Sequence, residues 1–324
     1  MFSPSKLASF FLVLVLLSSS VSASQKKCAA DPYASPSTDP CNILGYIASN
    51  SMTTVALVAY LVIGICQAVS IWKFGTKWMM SMTIGIFSFC FGLVTRYALH
   101  GNPQSKNIFI AEYLLIVLSP CLFIATEYVL LSRLATYLNR PTYMWISPRR
   151  VTLVYVVSDV TTFLVQMAGA VITVTGDDEN QKEMGSNIFL TGLILQLVSF
   201  IIFTIMYLRF LQLVYRNDRQ VWNKDVNRKM PWYEDWRALA AAFFLSCILI
   251  IIRCTFRVVE EAYGFKGFIA RSEAAFYIFD CLPLFIAVAV YVPFWPGRFI
   301  TEEYQPVGED STRYSMLQRP DSLA

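Results

Sequence analysis

Arg253, Arg257 and Glu260 follow one another at offsets of four and three residues, and Glu273, Tyr277 and Asp280 repeat that spacing. Offsets of i, i+4 and i+7 fall on one face of a helix, so each triplet forms a polar stripe in otherwise apolar sequence. A charge at bilayer depth costs about 2.5–3.5 kcal/mol on insertion scales. Such a cluster therefore persists only where the charges meet each other or line a wet cavity. If the two stripes face each other across a connecting loop, residues at equal distance from the loop share a depth. Arg253 and Asp280 are then neighbours.

Other polar residues join this depth band. Arg96 and Glu112 lie near the outer ends of two further apolar runs, which gives three arginines against four carboxylates converging from four helices. This arrangement reads as a hydrated cavity with an acidic excess, or else as a structural ion-pair network. Deeper in the chain's spans, Asp159 and Gln166 are seven residues apart, and Gln196 sits in the middle of the next run. They extend a polar path inward or tie helices together. Pro120 and Pro283 permit kinks, and Glu127 is expected to snorkel towards the interface.

These residues need helices to position them. Of 324 residues, 56% are hydrophobic and 15% charged, and the mean hydropathy is +0.51. A soluble domain carries about 25% charge, so the composition is that of a polytopic membrane protein. A net charge of only +4 argues against a nucleic-acid partner. Seven apolar runs are long enough to cross a bilayer: 47–72, 78–98, 108–131, 151–174, 187–208, 238–258 and 274–295. The expected fold is all-α, a bundle of seven transmembrane helices over residues 46–298. Sixteen basic residues fall in the loops of one side and six on the other, which predicts an outside N-terminus and a cytosolic C-terminus.

Residues 1–23 carry Lys6, an apolar stretch from Leu7 to Leu17 and the small-x-small triplet Val21-Ser22-Ala23, which reads as a signal peptide cleaved after Ala23. The extracellular tail 24–45 that follows holds Cys28 and Cys41, the two cysteines expected to form a disulfide. The other six lie in apolar runs as small packing residues. Residues 299–324 are polar, with Ser311, Thr312, Ser315 and Ser322, and read as a disordered cytoplasmic tail with or without a phosphorylation role.

Enzyme classes find little support. The chain has no G-x-x-x-x-G-K-[ST] phosphate loop and no G-x-S-x-G elbow, and its one histidine, His100, makes no multi-His zinc site. No cofactor is expected.

The pattern Arg253-x-x-x-Arg257-x-x-Glu260, then Glu273-x-x-x-Tyr277-x-x-Asp280, then Pro296-Gly297, resembles the fungal RTA-like family of seven-span lipid-translocating exporters. Gly92 and Arg96, Pro120, Ala125, Tyr128 and Arg133, Asp159, Gln166 and Gly169, and Gly192-Leu193 with Gln196 extend the likeness over 41–298. The sequence departs from the pattern at Phe89, where the family usually has Glu, at Glu112 for Gln, and at Trp295 for His. The resemblance implies a plasma-membrane exporter of lipids or amphiphiles such as sphingoid long-chain bases, with resistance to toxic amphiphiles. A seven-span receptor-like sensor remains the alternative. In either case the partner is a lipid or amphiphilic small molecule, and the acidic excess would attract an amine headgroup.

Overall fold

The computed structural model describes residues 31–34, 36, 39, 41–42, 44–176, 178–223, 235–264, 267 and 271–300. The signal peptide, Cys28 and the tail from 301 onward lie outside the described residues.

The described chain is helical: α1 Asn50–Phe74, α2 Met80–Gly101, α3 Lys106–Tyr137, α4 Pro148–Thr175, α5 Glu179–Asn217 and α6 Trp236–Ala262. A composite helix α7 follows, built of Glu273–Ala275, a π-helical segment Phe276–Cys281, and Leu282–Ala289. Among the described residues, six helices are long and apolar enough to cross a membrane, and they coincide with the first six predicted runs. The seventh run is α7 and the turns after it.

Local chemistry sets the helix ends. Gly75, at φ 69°, takes the left-handed position that closes α1 onto Ile71 O. Pro148 opens α4 at its first position, where a missing N–H is harmless. The Asp235 side chain accepts the Arg237 N–H to cap α6, and Ser272 caps α7 from the Ala275 N–H.

Each long helix packs on its chain neighbours, α7 returns to α1, and α3 also touches α6, so the bundle closes with α3 inside. The most apolar stretch of α3 is 61% buried and that of α1 only 17%. The exposed face of α1 carries Val55, Val58, Val62, Ile65, Val69 and Trp72, as suits a surface facing lipid. The core joins Tyr128, Phe200, Phe203, Tyr207 and Phe243, whose rings meet stacked, edge-on or tilted across α3, α5 and α6. At the other end of the chain, Phe299 and Ile300 are buried, so packed structure continues past the boundary at 298.

Close approach sets two helix pairs. A Cβ at Gly169 would fall 2.5 Å from Phe189 N, and one at Gly185 the same distance from Thr173 N, so α4 and α5 meet backbone to backbone. A Cβ at Gly92 would lie 2.8 Å from Ile116 Cγ1, and this brings α2 near enough to α3 for Arg96, one turn on, to reach Glu112.

Candidate functional site

The two stripes face each other as their spacing predicts. Arg253 Nε donates to Asp280 Oδ1 at 2.6 Å. Arg257 grips the same carboxylate with Nε on Oδ1 at 3.1 Å and Nη2 on Oδ2 at 2.5 Å, and its Nη1 reaches Glu260 at 3.0 Å. Arg253, Arg257 and Asp280 are all buried, whereas the Glu260 side chain is 18% exposed. A guanidinium fork suits a carboxylate, and so geometry as well as charge holds Asp280.

A second group forms around Arg96, which is 2% exposed. Its Nη1 donates to Glu112 at 2.6 Å, its Nη2 to Tyr46 OH at 2.7 Å, and the guanidinium lies 4.5 Å from the centroid of the Phe276 ring. Glu273 lies 3.7 Å from Arg96 and accepts the Ser49 N–H at 2.7 Å, while Tyr277 OH bonds Thr53 Oγ1 at 2.9 Å. Burial pushes the Tyr46 phenol up to about 12 against the pull of the Arg96 guanidinium, so Tyr46 stays neutral.

Arg96, Glu112, Arg257 and Glu260 share the wall of a cavity of about 50 Å³, closed by the rings of Tyr46, Phe109, Tyr113 and Phe276. The Arg96–Glu112 pair is single-bonded, and buried Glu112 Oε2 and Arg96 Nε have no hydrogen-bond partner among the described residues. Its volume holds water or a small polar headgroup. A carboxylate on the wall of an aromatic-lined cavity is a place where a cationic group gains both charge and ring contacts.

Asp159, Gln166 and Gln196 form a separate, deeper layer. Tyr128 OH donates to Asp159 Oδ2 at 2.9 Å, Gln166 Nε2 to Gln196 Oε1 at 2.8 Å, and Gln196 Nε2 to Cys121 Sγ at 3.2 Å. Asp159 Oδ1, Gln166 Oε1 and Arg253 Nη2 are buried without a partner among the described residues. This layer ties α3, α4 and α5 together.

Several expectations need correction or addition. Glu127 does not snorkel: it is 0% exposed and accepts from Ser246 Oγ at 2.5 Å and Tyr291 OH at 2.6 Å, donors that replace the solvent it would otherwise seek. Glu261 is buried as well and accepts from Ser186 Oγ at 2.7 Å. Thr53, Tyr60 and Gln67 form a buried stripe on α1 at heptad spacing, a signal present in the sequence. Tyr46 offered no such signal, since it lies before α1 in irregular chain. Cys41 is disulfide-bonded, and Cys66, Cys90, Cys121, Cys247, Cys254 and Cys281 are free.

Residues 82–303 match the family described as RTA1 like protein. Among curated relatives, the chain is 31% identical to Protein RTM1 of Saccharomyces cerevisiae over 62% of each chain. It is 29% identical to Protoporphyrin uptake protein 1 of the same yeast over 68% of each. It is 22% identical to a Saccharomyces cerevisiae protein named Sphingoid long-chain base transporter RSB1, over 64% of this chain and 60% of the relative. No solved structure matches.

Proposed function

This chain belongs to the RTA1-like protein family, and from that premise we propose that it moves lipids or other amphiphiles across a membrane. The substrate class we favour is a long-chain amine of the sphingoid-base kind. Its ammonium would bind at Glu112 Oε2 while its hydrocarbon lies along apolar helix faces. The observation that carries this reading is the buried Glu112 carboxylate, one oxygen of which has no partner among the described residues, on the wall of the cavity it shares with Arg96, Arg257 and Glu260. Two relatives, one named as a sphingoid long-chain base transporter and one as a protoporphyrin uptake protein, support an amphiphilic cargo. Asp280, with Arg253 and Arg257, would hold α6 against α7 beside that site, and Glu273 and Tyr277 would close it against α1.

The same reading includes a seven-span domain with the N-terminus outside, a signal peptide cleaved after Ala23, a Cys28–Cys41 bridge, a cytoplasmic tail and residence in the plasma membrane. Catalysis has no part in it.

One observation favours a sensor instead: a cavity of about 50 Å³ admits a headgroup but not a chain. Purified protein in phosphatidylcholine vesicles with a fluorescent sphingoid base separates the two. Transbilayer movement that is lost in Glu112→Gln is the expected result. Saturable binding without movement would replace transport by sensing, and neither binding nor movement would remove long-chain amines as ligands.

A further inference from the structure

The bundle holds its buried carboxyl groups in two chemically different ways. Asp280 meets guanidinium groups on both oxygens, and these only donate hydrogen bonds and therefore suit only the anion, while Glu112 is paired with the Arg96 guanidinium on one oxygen. Glu127 meets hydroxyl groups on both oxygens: Ser246 Oγ on Oε1 at 2.5 Å and Tyr291 OH on Oε2 at 2.6 Å. A hydroxyl donates to a carboxylate and, turned about its C–O bond, accepts from a carboxylic acid. The same three side chains thus satisfy the group with or without a proton.

Among the described residues, no fixed positive charge pairs with Glu127. Among the described residues, the titratable groups facing Glu127 are Tyr207 from α5, Cys247 from α6 and Tyr291 from the turn after α7. On its own helix, Arg133 lies over the Trp78 ring, 4.9 Å from its centroid, and Lys77, in the turn before α2, is exposed. An anion kept here would be a buried, uncompensated charge, which membrane proteins tolerate chiefly where protons, ions or substrates are handled.

We propose that Glu127 is a proton-binding site, formed where α3, α6 and the end of α7 meet, and that the transport cycle loads and unloads it. Binding makes one O–H bond between a Glu127 carboxylate oxygen and a proton taken from water on one side of the membrane. Release returns that proton to water on the other side, with no electron transferred. Ser246 and Tyr291 re-aim their hydroxyls as the group changes charge, and their positions on α6 and in the turn after α7 link its state to the packing there. The coupling half of this proposal rests on the transport reading; the site itself does not.

Two measurements on the full-length protein in vesicles keep these apart. In pH-difference infrared spectra, the wild type should show a titrating carboxylic-acid C=O band that loses one component in Glu127→Gln. Tyr291→Phe, which keeps the carboxyl but removes one hydroxyl, should shift the midpoint of that component. This second variant decides the matter if Glu127→Gln fails to fold. In the second measurement, a pH gradient across the vesicles should speed movement of a fluorescent sphingosine by the wild type and leave Glu127→Gln unaffected. An infrared band unchanged in both variants overturns the site, and gradient-driven movement surviving in Glu127→Gln overturns the coupling. A wild type that moves no sphingosine sinks the transport reading, while the infrared band still decides the site.

Discussion

Asp280 meets Arg253 through one hydrogen bond of 2.6 Å and Arg257 through two, so the carboxylate is shared unequally between guanidinium groups one turn apart on α6. The inequality ranks the variants. Asp280→Asn leaves buried Arg253 without a counter-charge and Arg257 with Glu260 alone, and is expected to cost about 3–5 kcal/mol. Arg253→Gln leaves Asp280 in the Arg257 fork and should cost less. The swap of Arg253→Asp with Asp280→Arg should fail to restore stability, because Arg257 would then face a second guanidinium. Thermal unfolding in detergent checks the order, and equal losses in the two single variants would contradict it.

Packing at α4 and α5 gives a second expectation. With Phe189 N only 2.5 Å from the position a Cβ would take, Gly169→Ala must push two backbones apart. Overpacking of this kind costs about 1–3 kcal/mol, and Gly169→Val more. Gly101, with nothing within 4 Å of its added Cβ, is the control. A Gly169→Ala melting curve that overlays the Gly101→Ala curve would argue against the tight helix pair.

Some of this arrangement was legible in the sequence, and the reason is periodicity. The charges at 253, 257 and 280 obey helix spacing around one loop, so their meeting follows from counting turns, whereas Glu273 goes to Ser49 and Arg96. The cavity was legible only as a tendency, because its wall includes Tyr46, whose approach depends on how irregular chain before α1 folds back. Glu127 was misread for a related reason. Its distance from the helix end suggested escape to solvent, whereas its hydroxyl partners lie 119 and 164 residues away in the chain. Helix spacing says nothing about such pairs. The same holds for the π-helical turn in α7, where Pro283 signalled a disturbance but not its form.

The loop after α3 and the end of α5 are joined by Asp218, which accepts from Arg140 Nε at 2.8 Å and Tyr143 OH at 2.6 Å. The hydrogen bond from Arg140, then that from Tyr143, holds the Asp218 carboxyl below the ordinary range. A carboxyl lowered in the folded state stabilises above its unfolded value, about 3.9, and loses that contribution as pH falls through the folded value. The difference in melting temperature between wild type and Asp218→Asn should therefore be constant from neutral pH down to about 5 and vanish only in stronger acid. A difference that disappears near neutrality would exclude this ion pair as its source.

The last expectation concerns how α1 holds α7. Thr53, Tyr60 and Gln67 point one buried stripe at α7: Thr53 Oγ1 bonds Tyr277 OH at 2.9 Å, Tyr60 OH donates to Cys281 O at 2.7 Å, and Gln67 Nε2 donates to Val288 O at 2.9 Å. Two of these three bonds go to main-chain carbonyls, and Cys281 closes the π-helical segment immediately before Leu282-Pro283. Helix hydrogen bonding is disturbed there by the wider turn and by the N–H that proline lacks, so side chains from a neighbouring helix supply donors. Tyr60→Phe removes one such donor without changing the ring, which packs 4.5 Å from Phe89. The expected cost is about 0.6–1.7 kcal/mol, the range of hydrogen bonds between membrane helices. Hydrogen exchange should quicken in 276–289 and not in α4. Tyr277→Phe, at a less buried pair, should do less. If Tyr60→Phe leaves exchange in α7 unchanged, the turn is self-supporting and the stripe on α1 serves only to fill space.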